Sequence, residues 1–126
     1  MPIIKTQTDC SLSPKALFIK DFNIAIATDN IDFLTNHVTD SLEWHIIGDK
    51  VIRGKKAFQK ELQHMISHEI DELIIQQIII NEKEAAANGT MTMNSGTTYA
   101  FSDFYTFHST SEKAISGITS YIIKLD

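Results

Sequence analysis

The chain has 126 residues, 43% of them hydrophobic and 21% charged, with a formal net charge of −5. That length fits one domain, able to bury roughly two-thirds of the surface its unfolded form exposes. The acidic balance argues against a general nucleic-acid binder, because phosphate neutralisation needs clustered Lys and Arg, and Arg53, Lys55 and Lys56 are too few.

Residues 1–12 read as an N-terminal extension. Ser13 followed by Pro14 marks a helix start, serine capping and proline at the first helical position. The helix runs to about Ala27 and places Leu17, Phe18, Phe22 and Ala25 on one arc. Asp29 is positioned to cap a short second helix, Asn30 to Asn36. From Val38 the period becomes that of a strand, ending at a Gly48-Asp49 turn, with a brief return over Lys50 to Arg53. Gly54 opens a helix to about His68, whose Ala57, Phe58, Leu62, Met65 and Ile66 recur at helical spacing. Four strands follow: Glu72–Asn81, Glu84–Ser95, Thr98–His108 and Lys113–Leu125, with turn chemistry at each join. Helices segregated from an antiparallel meander predict an α+β domain spanning 1–126.

Cys10 is the only cysteine, which excludes an internal disulfide and a Cys-based zinc site and fits a reducing cytosol. The opening MPIIKTQTDCSLSPK lacks a charged region followed by a long apolar run, so it does not read as a signal peptide. The most apolar stretch, Leu73 to Ile80, is too short for a bilayer span, so no membrane partner is expected.

Two segments carry a resemblance that extends from about Ser13 to Leu125. "DFNIAIATDNIDFLTNHVTDSLEWHIIGD" followed by "IRGKKAF", and the closing "TYAFSDFYTFHSTSEKAISGITSYII", resemble the NTF2-like superfamily and, within it, SnoaL-like proteins. The resemblance implies a cone-shaped α+β barrel, a curved sheet wrapped around three helices, with an apolar pocket between them. It also implies a homodimer formed through the sheet. Members include ketosteroid isomerases, polyketide cyclases, dehydratases, epoxide hydrolases and noncatalytic binding proteins, so function has to be argued from the site.

Three polar residues are candidates for chemistry. Asp21 falls inside the arc bounded by Leu17, Phe18, Phe22 and Ala25, where a carboxylate needs a partner, a cavity or a raised pKa. A slightly rotated helix would leave it at the rim. Asp103 shares a strand face with Tyr99, Phe101, Tyr105 and Phe107, an unusual surround for a solvated acid. By resemblance, its strand is where ketosteroid isomerases place a protonated, oxyanion-stabilising aspartic acid; the plainer alternative is an acid that holds a tyrosine. His45 matches the position of that family's carboxylate base, and imidazole suits proton transfer near neutrality. Alternation opposes this reading, because it turns Leu42, Trp44 and Ile46 inward and His45 outward.

Trp44, Met91, Met93, Tyr99, Phe101, Tyr105 and Tyr121 are candidate walls of a ligand cavity, with ordinary core packing as the alternative for each. His64 and His68 have a metal-ligand spacing, but His64 lies opposite Phe58 and Leu62, so no metal is expected. No Gly-rich phosphate loop exists, and no cofactor is expected. The sequence thus predicts a small apolar ligand or substrate. It is either worked on by cofactor-independent acid–base chemistry, as in an isomerase, cyclase or dehydratase, or held by a noncatalytic binding or dimerisation module.

Overall fold

The structure, a computed structural model, describes residues 3–6, 13–65, 70–109 and 113–125. Chain order is β1 (Ile3–Thr6), α1 (Pro14–Ala27), α2 (Ile31–Asn36), β2 (Val38–Ile46), β3 (Lys50–Arg53), α3 (Lys55–Met65), β4 (Ile70–Asn81), β5 (Glu84–Met93), β6 (Thr98–Phe107) and β7 (Ile115–Leu125). The Ser13 hydroxyl accepts from the Ala16 amide and caps α1. For α2 the cap is Asn30, not Asp29; Asp29 instead takes a positive φ of 58° at the end of the preceding helix. That conformation suits a link between helices and is tolerated by aspartate better than by most residues. His68 lies outside the described residues.

The strands form one seven-stranded curved sheet in the order β1-β4-β5-β6-β7-β2-β3, open at β1 and β3. The meander β4 to β7 is antiparallel, as the turn chemistry requires. Two pairings are parallel, β2 with β7 and β1 with β4. The sheet is therefore mixed and unclosed: the expected antiparallel meander is flanked by two parallel pairings that the sequence did not indicate. β1 itself is a further difference: a four-residue strand in the segment read as an extension. Too short to show a periodic pattern, it is set by pairing with β4.

Two apolar clusters fill the concave side. In the larger, Phe18 packs on Phe107 and Phe22 meets Tyr105 edge-on at 5.9 Å, while Trp44 meets Phe58 of α3 at 5.7 Å. The smaller gathers Ala27, Ile70, Leu73, Ile75 and Phe101. β4 bends where its register with β5 shifts between Ile75 and Gln77, next to Gly89.

Candidate functional site

Side chains from both clusters surround a cavity of about 140 Å³. α1 contributes Phe22, Asn23 and Ile26; β2 and α3 contribute Trp44 and Phe58; β6 contributes Phe101, Asp103 and Tyr105; β7 contributes Ile118, Ser120 and Ile122. Ala27, Ile70, Leu73, Met91 and Met93 complete it. Ile122 is exposed and Met91 and Met93 are half-buried, which marks that side as the mouth.

One polar cluster interrupts this apolar wall. Strand alternation puts Asp103 and Tyr105 on the concave face, and register sets Ser120 directly across from Asp103. The Tyr105 hydroxyl is 3.3 Å from Asp103 Oδ2, a long hydrogen bond, and the Ser120 hydroxyl also bonds the carboxylate. Behind them stand two groups that act only as donors. Trp44 Nε1–H donates to Ser120 Oγ at 2.9 Å. Asn23 Nδ2 donates to the Ile19 carbonyl at 2.9 Å and to the Tyr105 oxygen at 3.1 Å. The Ile19 carbonyl cannot donate, so it fixes which end of the amide is nitrogen.

Polarity then propagates. Each hydroxyl receives a hydrogen from behind, so each directs its own hydrogen forward onto Asp103. Burial raises the Asp103 carboxyl from 3.8 to about 6, and the Ser120 and Tyr105 hydrogen bonds oppose that rise. The Tyr105 phenol is raised well above 10, first by burial and then by the neighbouring Asp103 charge, so it remains a donor across the neutral range. Two hydroxyls leave part of the carboxylate's accepting capacity unused. The site is an acceptor near neutrality and a carboxylic acid a little below it.

Trp44, Met91, Met93, Phe101, Asp103 and Tyr105 of the sequence candidates line this cavity; Asp21, His45, Tyr99 and Tyr121 do not. Asp21 is exposed, because the buried arc of α1 is centred on Ile19, Phe22 and Asn23 rather than on Leu17, itself 39% exposed. His45 faces away from the cavity, as alternation with Trp44 requires, and its Nε2 is 3.1 Å from Glu43 Oε1. Tyr121 lies on the convex face, where its ring meets Phe104 edge-on, because it is one residue out of phase with Ser120 and Ile122. Tyr99 belongs to the concave face of β6 but sits beyond the cavity, opposite Met91.

Asn23 and Ser120 are the two polar lining residues that sequence reading missed. Both are buried polar groups in otherwise apolar faces: Asn23 is four residues after Ile19, and Ser120 alternates with Ile118 and Ile122. The same out-of-place polarity that pointed to Asp103 marks them.

No family model and no curated protein matches the chain. Solved structures do. An NTF2-like protein of unknown function from Cytophaga hutchinsonii matches with a TM-score of 0.70 at 22% identity, covering 86% of this chain and 99% of that one. This chain has the NTF2-like fold. Two other NTF2-like neighbours carry named activities. An LEH-like epoxide hydrolase from M. tuberculosis matches with a TM-score of 0.71 at 15% identity, covering 86% of this chain and 81% of that one. A ketosteroid isomerase-like protein from Kribbella flavida matches with a TM-score of 0.73 at 10% identity, covering 89% and 79%. Identities this low speak for the fold, and the same NTF2-like frame supports different chemistries. No helix among the described residues is long and apolar enough to cross a membrane.

Proposed function

We propose that this NTF2-like protein holds a small, largely apolar molecule in its cavity and exchanges a proton with it through Asp103. One observation carries the reading: the only carboxyl among the described lining residues is where two directed hydrogen-bond chains meet, and its pKa lies at about 6. With Asp21 and His45 on other faces, both removal and return of the proton fall to Asp103. Isomerisation, cyclisation and dehydration all fit that sequence, and the two neighbours with named activities are in keeping with it.

The test uses one-ring ketones, epoxides and alcohols, with and without an amino group, incubated with the protein in D₂O. Wild type is expected to incorporate deuterium or turn over at least one of them. Asp103→Asn should slow this by about a hundredfold or more, the usual worth of a positioned acid or base. Undiminished turnover in that variant would exclude the proton-transfer role.

A second reading, a noncatalytic binding module, draws support from the same network. The Trp44, Ser120, Tyr105 and Asn23 hydrogens are already directed to one another, to Asp103 or to Ile19. While Asp103 is ionised, none of them is left over to stabilise an oxyanion. Saturable binding without turnover of any panel member would favour this reading.

Our reading includes a homodimer through the convex sheet face and a cytosolic location, the latter in keeping with the single cysteine. Ile79, Ala86, Phe104 and Thr119 follow one another across four strands, and Tyr121 and Ile123 extend the patch. Phe104 is 51% exposed and Ile123 65%, more apolar surface in one place than a monomer usually leaves to water. Sedimentation velocity should give the mass of two chains, and Phe104→Glu should shift it to one; a wild-type mass of one chain rejects the dimer.

A further inference from the structure

The chemistry of the cavity also limits what can occupy it, and this inference rests on the pocket reading just given. Three observations bear on the occupant. The first is size. A cavity of about 140 Å³ is close to the roughly 150 Å³ that holds a benzene ring, so one ring fits and a fused polycycle does not. The second is donor balance. The Trp44 and Asn23 hydrogens are taken up by neighbouring oxygens and the Ser120 and Tyr105 hydroxyls donate to Asp103, so the site offers a ligand an acceptor and calls for a donor. The third is charge. No Lys, Arg or His is among the described lining residues, so none of them gives the ionised carboxylate a basic partner.

We propose that the cavity selects a one-ring, largely apolar cation, a protonated amine whose N–H donates to Asp103 while its body lies between Trp44, Phe22 and Phe101. The desolvation of Asp103 is already incurred in folding, so an incoming ammonium adds only its own, and the low-dielectric surround strengthens the pairing. The faces of the aromatic walls are negative and favour a cation over a neutral isostere. A ligand carboxylate would meet like charge and an acceptor, and should be rejected. A neutral alcohol supplies the donor without the charge, and charge-assisted hydrogen bonds are roughly twice as strong.

Trp44 is the only tryptophan and lines the cavity, so its fluorescence reports occupancy directly. The probes are benzylamine, benzyl alcohol, toluene and benzoate, titrated at pH 7.5 and again at pH 5. At pH 7.5 benzylamine should bind about tenfold or more tighter than benzyl alcohol, with benzoate weakest. At pH 5 the preference for the amine should collapse, because Asp103 carries its proton there. Among the described lining residues the only other titratable group is Tyr105, which keeps its proton throughout that range. Asp103→Asn should lose the amine preference and keep toluene affinity; if that variant does not fold, the wild-type pH series decides alone. Benzyl alcohol binding as tightly as benzylamine, or an amine preference that persists at pH 5 or in Asp103→Asn, overturns the proposal and leaves the pocket reading standing. No saturable response to any of the four, toluene included, overturns the pocket reading and the proposal with it.

Discussion

Replacing Gly89 by alanine is expected to unfold the protein, or to lower its stability by about 3 kcal/mol or more, the upper end of what overpacking costs. Gly89 is a buried residue in the middle of β5, paired with Ile75 of β4. A Cβ there would lie 1.9 Å from the Ile74 carbonyl oxygen and 2.9 Å from its carbon. Neither is the end of a flexible side chain, so the backbone of β4 itself has to move. The position is next to the register shift between Ile75 and Gln77, where an extra residue bends β4 over its neighbour. The bend curves the sheet over α1, and a flattened sheet would lose cavity and core together. Urea denaturation followed by circular dichroism measures the effect. An alanine variant as stable as wild type would mean that the close approach at Ile74 does not exist.

Asp103→Asn, in contrast, should make the protein more stable at pH 7.5, by about 2 kcal/mol, while removing its acid–base group. The Asp103 carboxyl titrates at about 6 in the folded chain against 3.8 unperturbed, a difference worth about 3 kcal/mol. Between pH 4 and 6 the native state still holds a proton that the unfolded chain has released. Stability from this group therefore falls as pH rises through that window and remains at its lower level above pH 6. Asparagine resembles the protonated acid and does not titrate, though its amide cannot satisfy both hydroxyls as well as a carboxylate, which lowers the expected gain. The variant and wild type should be equally stable near pH 4 and diverge by pH 7. Subtracting their urea-derived stabilities at each pH isolates this one group from the other carboxylates. A difference independent of pH would show that Asp103 is not held above its ordinary range. An acid that costs stability at neutral pH and sits where two hydrogen-bond chains meet is the pattern expected of a functional group rather than a structural one.

Much of the fold was legible because local chemistry dictates it. Ser13 and Pro14 begin α1 wherever that helix lies, and Gly48 takes a positive φ of 82° between β2 and β3 as the turn signal implied. The meander followed from strand periods and turn residues over short separations. β1 and the parallel pairing of β2 with β7 were not legible, since both depend on which distant strand edge is free, and no local pattern encodes that. Gly89 carried a readable signal, a glycine inside a strand, but its meaning lies in a carbonyl fifteen residues earlier in the chain.

The site divides along the same line. Parity within a strand is local, so Asp103 and Tyr105 were placeable on one face, and Trp44 could be separated from His45. Helix phase was harder to place: counting Leu17 as inward drew Asp21 with it, whereas the buried arc turns on Ile19 and Asn23. Out-of-place polarity identified an acid in the sequence, but its partners come from α1, β2 and β7, segments up to 82 residues from Tyr105 in the chain. Sequence determines which face a side chain takes within its own element. Only the tertiary packing decides which faces meet, and so turns a lone acid into one that two hydroxyls, each held by a donor behind it, direct hydrogens toward and that no base among the described lining residues neutralises.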